Sequence, residues 1–222
     1  MSPQTLPTGS TTLGPESPLL LGSASPRRRD ILAGLGIPLL IRPSHIDEVV
    51  LPGEVPDAYL ERIVEAKLEA TLQSHGWGDA ACALSADTVV LLDNEVLGKP
   101  ADIADAIGLL TRLCGRVHVV KTRYALRSAR GVHRARTIKS EVSLRSASTE
   151  EIERYARTGE GLDKAGAYAA QGIGAFLVQS IQGSYTNVVG LPACEVIRDL
   201  CELGLLPDFP APAKGRTSSP SF

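Results

Sequence analysis

The sequence predicts an α/β fold built on a mixed sheet. Three observations carry that expectation. Short aliphatic runs such as Leu19–Gly22 stand just before segments of helical periodicity, as a strand feeding a helix does. Longer apolar runs are paired across turn residues, Asp93-Asn94 in one case and Arg130-Gly131 in another, as in antiparallel hairpins. The two patterns interleave, so single strands and hairpins share one sheet rather than repeating a single βαβ unit.

In chain order, Leu19–Gly22 reads as a short buried strand. Pro26–Leu35 reads as a helix, with Ser25 as N-cap and Pro26 at the first helical position. Ile31, Leu32 and Leu35 face inward and Gly36 ends it. "IPLLIRP" gives a second strand, and "SHIDEVVLPGEV" a loop. Leu60, Ile63, Val64 and Leu68 set a helical stripe over Asp57–Ser74. "CALSADTVVLLDNEVLG" is a strand, a two-residue turn and a return strand. Ile103, Ile107, Leu110 and Leu113 mark a helix closed by Gly115. Val117–Leu126 and Val132–Leu144 pair as a long hairpin. Ser148 and Glu151 fit a capping box for a short helix ending near Gly159. A glycine-dense stretch follows, and Pro192–Leu203 is the last helix. Residues 1–17 and 207–222, rich in Pro, Ser, Thr and Gly, read as disordered tails around one folded body, residues 18–206.

Composition limits the function classes. The 222 residues are 43% hydrophobic and 22% charged, with a net charge of −2. That fits a globular protein and argues against nucleic-acid binding, which usually needs a basic face. The four cysteines, Cys82, Cys114, Cys194 and Cys201, form no CxxC and have no histidine at zinc spacing. They read as reduced, mostly buried thiols. No signal-peptide pattern is visible and the aliphatic runs are too short to span a bilayer, so a cytoplasmic protein without a membrane partner is expected.

The chemistry gathers in a few stretches. In "GSASPRRR" a small-residue loop meets a helix N-terminus, where an anion is favoured. Acids belong in such a first turn, yet Arg27, Arg28 and Arg29 occupy it. A bound polyanion would offset their repulsion with the helix dipole, and Ser23 and Ser25 leave the backbone accessible to it. Arg29 reads as solvated. The loop is not a Walker motif, and "GIG" at residues 172–174 is no dinucleotide fingerprint. Asp87 interrupts an apolar strand, a costly place for a carboxylate unless it is hydrogen-bonded or ligates a metal. Thr88 follows on the opposite face. The return strand leads to Lys99, which the spacing lets fold back beside Asp87. Asp47 and Glu48 suggest either a divalent cation near phosphates or a solvated acidic loop. Asp163 and Lys164 lie between glycines, and Gln171 can both donate and accept. "GSYTN" adds Ser184, Tyr185 and Asn187.

Taken in order, "SASPRR", "SADTVV", "GKP", "GLDKAGAYAAQG" and "GSYTNVVGLP" closely resemble the Maf family of nucleoside triphosphate pyrophosphatases, over residues 19–206. The resemblance implies an inosine-triphosphatase-like fold, an elongated mixed sheet flanked by helices with a cleft between two lobes. It implies hydrolysis of a nucleoside triphosphate to monophosphate and pyrophosphate, a divalent cation (Mg²⁺ or Mn²⁺), and a homodimer. It makes Asp87 the proton acceptor, with Arg27, Thr88 and Gln171 at the specificity positions in the combination of the dTTP/UTP branch. Arg27, Arg28, Lys67 and Lys99 become candidates to neutralise the leaving pyrophosphate, although Lys67 also reads as a surface-helix lysine. Glu48 and Asp87 become candidate metal ligands. House-cleaning of non-standard nucleotides and a part in cell-division arrest belong to the same expectation. The competing readings are a sister-branch enzyme for modified nucleotides and a nucleotide-binding septation regulator that hydrolyses nothing.

Overall fold

The computed structural model describes residues 12–210. Its elements, in order, are β1 (Leu19–Leu21), α1 (Pro26–Gly34), β2 (Leu39–Ile41), α2 (Pro56–His75), β3 (Cys82–Leu92), β4 (Glu95–Leu97), α3 (Ile103–Leu113), β5 (Val117–Ser128), β6 (His133–Leu144), α4 (Thr149–Arg157), β7 (Val178–Gln182), α5 (Tyr185–Val189) and α6 (Ala193–Glu202). One seven-stranded sheet runs β2-β1-β3-β5-β6-β7, with β4 paired to the far end of β3. The β2, β1 and β3 pairings are parallel and the others antiparallel, so the sheet is mixed as expected.

β3 is the axis of the molecule, and its alternation explains the layers. Cys82, Leu84 and Ala86 pack on one face with Leu32 of α1 and with Val196 and Leu200 of α6. Further along the same face, Val90 and Leu92 join a second cluster with Leu110 and Leu113 of α3 and with Ile152 and Tyr155 of α4. On the other face α2 covers both ends. Val64, Leu68 and Leu72 lie near Ala83, and Leu60 and Ile63 near Val89 and Leu91. A strand buried on both faces reads as a near-continuous apolar run, which is why Asp87 stands out in the sequence.

The pairing of β3 leaves a notch. One side is laddered to β5 from Cys82 to Leu91. The other is paired to β1 only over Cys82–Leu84 and to β4 only over Val90–Leu92. Between them, residues 85–89 have no strand partner on that side among the described residues. The return strand β4 exists because Asp93 and Asn94 both take positive φ, 52° and 68°, as a type I′ turn requires.

Two expectations need correction, those for the tails and for the cysteines, and two gain detail. Ser25 is the N-cap of α1, but its side chain makes no capping bond. Residues 13–17 are not a loose tail: Leu13 N–H donates to Leu205 C=O at 2.8 Å, Gly14 and Ser17 exchange two main-chain bonds, and Ser17 is buried. Phe209 likewise packs on the cluster beneath α6. Those contacts are main-chain bonds and single apolar side chains that composition does not register. The remainder of both expected tails lies outside the described residues. The glycine-dense stretch holds two 3₁₀ turns, β7 and α5. Finally, Cys82 is buried and its thiol is pushed up to about 12 by desolvation, whereas Cys194 is exposed near the start of α6 and Cys114 and Cys201 are half-buried. No helix among the described residues is long and apolar enough to cross a membrane.

Candidate active site

The notch in the sheet opens into a cavity of about 820 Å³. Twelve of the candidate residues line it: Ser23, Ser25, Arg27, Arg28, Glu48, Lys67, Asp87, Thr88, Lys99, Asp163, Lys164 and Gln171. Because the strand edge is bare here, side chains from both faces of β3 reach one space. Asp87 meets α2, and Thr88 meets the helix pair α1 and α5.

On the α2 face, Lys67 Nζ donates to Asp87 Oδ1 at 2.8 Å. The same nitrogen lies 2.9 Å from Glu48 Oε1. Asp87 and Lys67 each expose 9% or less of their surface. The expected apposition of Lys99 with Asp87 does not form. Lys99 is an exposed wall residue, and the ammonium against the acid comes from α2, one helical layer away. Lys67 is therefore a buried site residue and not a surface lysine. The main chain of Glu48 is held by Tyr59, whose phenol donates to its carbonyl at 3.2 Å. Burial, together with the charges of Asp87 and Glu48, pushes the Tyr59 phenol up to about 12, so it stays a donor at neutral pH. Asp47 stays exposed and takes a turn bond from Val49 N–H instead.

On the opposite face, Arg28 is buried and donates three bonds to neutral acceptors. These are Gly190 C=O at 2.9 Å, Ser23 Oγ at 3.1 Å and Thr88 Oγ1 at 3.2 Å. It makes no ion pair with any described carboxylate. Burial lowers its pKa from the ordinary value, and the nearby Asp87 charge pulls the other way. A buried guanidinium without a carboxylate is costly unless an anion completes it. Gly22, at the head of this loop, has no room for a side chain, because a Cβ would lie 2.6 Å from Ser85 Oγ.

Arg27 points across the cleft to Asp163 at 3.2 Å, with both groups partly in solvent. Burial tends to raise the Asp163 pKa, but bonds from Lys164 and Arg27 outweigh it and hold the carboxyl below its usual range. Arg29 pairs with its neighbour Asp30 on the surface. Gln171 is exposed at the cavity wall and its side chain makes no hydrogen bond among the described residues.

Ser184, Tyr185 and Asn187 do not line the cavity. Ser184 caps α5 by accepting from Asn187 N–H, Tyr185 is exposed, and buried Asn187 ties α5 to Val120 C=O and Ser140 Oγ. Their effect on the site is indirect: they fix the short helix that presents Gly190 C=O to Arg28. Among the cavity residues that the sequence reading passed over are Tyr59 and Glu160. Both act on main-chain groups, which leave no side-chain motif; the density of glycines after Glu160 is the one local signal.

No group of three or more ligating side chains capable of holding a metal ion exists among the described residues. Two carboxylates, from Glu48 and Asp87, nevertheless converge on the single Lys67 ammonium. That donor set suits a cation completed by substrate phosphates and not an all-protein cage.

The chain is similar to known proteins over most of its length. The family model described as Maf-like protein matches residues 18–203. A relative from Hahella chejuensis named dTTP/UTP pyrophosphatase is 43% identical over 187 residues, 84% of this chain and 92% of its own length. A second with the same name, from Geobacter metallireducens, is 44% identical over 191 residues, 86% of this chain and 98% of its own. Among solved structures, a nucleoside-triphosphatase described as a dITP/XTP pyrophosphatase from Mycobacterium abscessus covers 88% of this chain and 98% of its own, at 12% identity and a TM-score of 0.41.

Proposed function

The chain belongs to the Maf family, and from that premise we propose that it hydrolyses dTTP and UTP to the nucleoside monophosphate and pyrophosphate. The observation that supports this best is the opposition across the notch. A lysine-held carboxylate, Asp87, stands on one face of β3, and a buried guanidinium lacking an acid, Arg28, on the other. A polyanion entering between them meets its counter-charge and its base in one cavity.

In the reaction a water oxygen attacks the α-phosphorus in line, and the bond to the β-phosphate oxygen breaks. Asp87 orients that water and takes its proton. Its Oδ1 is held by Lys67, and its other oxygen has no hydrogen-bond partner among the described residues. Arg28, held by three neutral acceptors, carries undiminished positive charge toward the phosphates. Arg27, Lys99 and Lys164 add to it from the rim, and the first-turn N–H groups of α1 contribute the helix dipole. Preorganised charge of this kind commonly supplies the largest part of such a rate enhancement. Glu48 and Asp87 would hold a Mg²⁺ or Mn²⁺ ion, which when bound polarises the phosphoryl oxygens.

Gln171 reads the base. The imide edge of uracil or thymine offers a donor between two acceptors, and a primary amide can meet a donor and an acceptor together. Thr88 fixes Arg28 and shapes the wall between base and phosphates. The family resemblance adds a homodimer acting in the cytoplasm, with non-standard pyrimidine nucleotides among its substrates.

The test is a nucleotide panel with separate detection of pyrophosphate and orthophosphate. The expected result is pyrophosphate from dTTP and UTP, with purine triphosphates much poorer. Orthophosphate release would overturn the assigned bond, and a preference for guanine nucleotides would overturn the assigned branch.

A further inference from the structure

Glu160 presents an acid at the wall of a cavity built for a polyanion, and the chemistry above does not use it. Its oxygens are already committed. Oε1 accepts from Ile173 N–H at 2.9 Å, and Oε2 accepts from Gly174 N–H at 2.7 Å and from the Tyr155 phenol at 2.9 Å. The same phenol oxygen accepts from Ala169 N–H at 3.0 Å. One tyrosine–glutamate pair thus holds both ends of residues 169–174, and the middle of that segment is Gln171, whose side chain makes no hydrogen bond among the described residues.

The sequence of the loop follows from this arrangement. Gly172 has φ +67°, and a Cβ there would collide with Glu160 Oε1. A Cβ at Gly174 would collide with the Tyr155 phenol and with Ala169 C=O. The loop lies directly on the carboxylate, with no space for a side chain between them. Burial tends to raise the Glu160 pKa, but the two N–H groups and the phenol outweigh it and keep the group an acceptor. Lys164 Nζ holds the Glu160 carbonyl from behind. Tyr155 is itself fixed, buried in the cluster of α3 and α4 and edge-on to Phe176.

We infer that Glu160, with Tyr155, is a positioning residue for base selectivity: the pair sets the shape of the 169–174 loop so that the Gln171 amide meets the pyrimidine edge. The inference rests on the reading of Gln171 as the base-facing group. It assigns the acid to the loop and not to metal or phosphate.

The experiment compares Glu160→Gln, Tyr155→Phe and Gln171→Ala with the parent protein. Activity on dTTP and dCTP, and amide hydrogen exchange at Ile173 and Gly174, are read on folded samples checked by melting. Glu160→Gln keeps size but turns an NH₂ group toward one of the two N–H donors. The expected result is a fall of about tenfold or more in the ratio of kcat/KM for dTTP over dCTP, the equivalent of one displaced base contact. The loss should lie mainly in KM, with faster exchange at both amides. Tyr155→Phe should give a smaller change in the same direction. If Gln171→Ala lowers the ratio and Glu160→Gln does not, the positioning role is wrong and the base reading stands. If Gln171→Ala leaves the ratio unchanged, the base reading fails and this inference falls with it. An equal loss of kcat on both nucleotides in Glu160→Gln would also overturn it, by placing the acid in the phosphate chemistry.

Discussion

The Lys67 ammonium on α2 stands 2.8 Å from the Asp87 carboxylate on β3, and both are buried. The pair is held by packing: Ile63, Val64 and Leu68 seat α2 on the sheet, so Lys67 meets the one acid in the strand. A carboxylate fixed in this way has a single orientation for a water.

Asp87→Asn keeps the size of the side chain and an acceptor for Lys67, but removes the charge and the basic oxygen. We expect kcat to fall by about 10²-fold or more, the scale for losing acid–base help. Binding of dTTP should persist or tighten, since a negative charge beside a polyanion is gone. Steady-state kinetics and melting on the same sample check this, and a folded variant with near-parental kcat would refute the catalytic role.

Removal of divalent cations by a chelator should abolish pyrophosphate release, and Mg²⁺ or Mn²⁺ should restore it. Glu48→Gln should raise the metal concentration needed for half-maximal activity by about tenfold or more, as expected when a metal site loses a supporting carboxylate. A metal titration of both proteins reads this, and an unchanged midpoint would remove Glu48 from the site.

Arg27→Ala should lower turnover with little change in stability. Removing a cation from the first turn of α1 gains about 0.3–1 kcal/mol against the dipole. Losing the solvent-exposed bridge to Asp163 costs about 0–1 kcal/mol. The two nearly cancel, so the melting temperature should move by no more than about 2–4 °C. A large drop in melting temperature with unchanged kinetics would make Arg27 structural.

His118 gives the fold an acid limit. It is 2% exposed, its Nε2 lies 2.8 Å from the Tyr168 phenol, and its Nδ1 is buried without a hydrogen-bond partner among the described residues. Burial lowers its pKa to about 4, against about 6.5 in the unfolded chain. Between those values the unfolded chain binds a proton that the folded one refuses. The contribution is therefore intact above about pH 6.5 and is lost as pH falls, by about 3 kcal/mol at pH 4. Denaturant unfolding at pH 7 and pH 5 should show a steeper loss for the parent than for His118→Gln. Equal slopes would mean that the imidazole is not desolvated.

What the sequence disclosed was local, and what it hid was tertiary. Asp87 was visible because a charge inside a strand buried on both faces breaks an apolar run. The Asp93-Asn94 turn was visible because two positive φ angles select those residues. The partner of Asp87 was not visible. Lys99 lay nearer in sequence, but the lysine in contact is set by how α2 crosses the sheet. Glu160 stayed hidden because its partners are mostly main-chain N–H groups. β7 and α5 were hidden because one is a polar, half-exposed strand and the other a single turn and a half.

β3, β5 and β6 have consequences for divisibility. β3 and β5 each contribute side chains to the cluster under α1 and α6 and to the one under α3 and α4, and β6 reaches both as well. The cleft therefore has no tether at its base, only continuous strands. The two interiors are thus joined through the strands themselves and not through a loop. Neither half could be excised, swapped or inherited separately, because each would leave with half of the other's interior. A cut or insertion within β3 should abolish folding of the whole chain, while an insertion at the Arg130-Gly131 turn, beyond both interiors, should be tolerated.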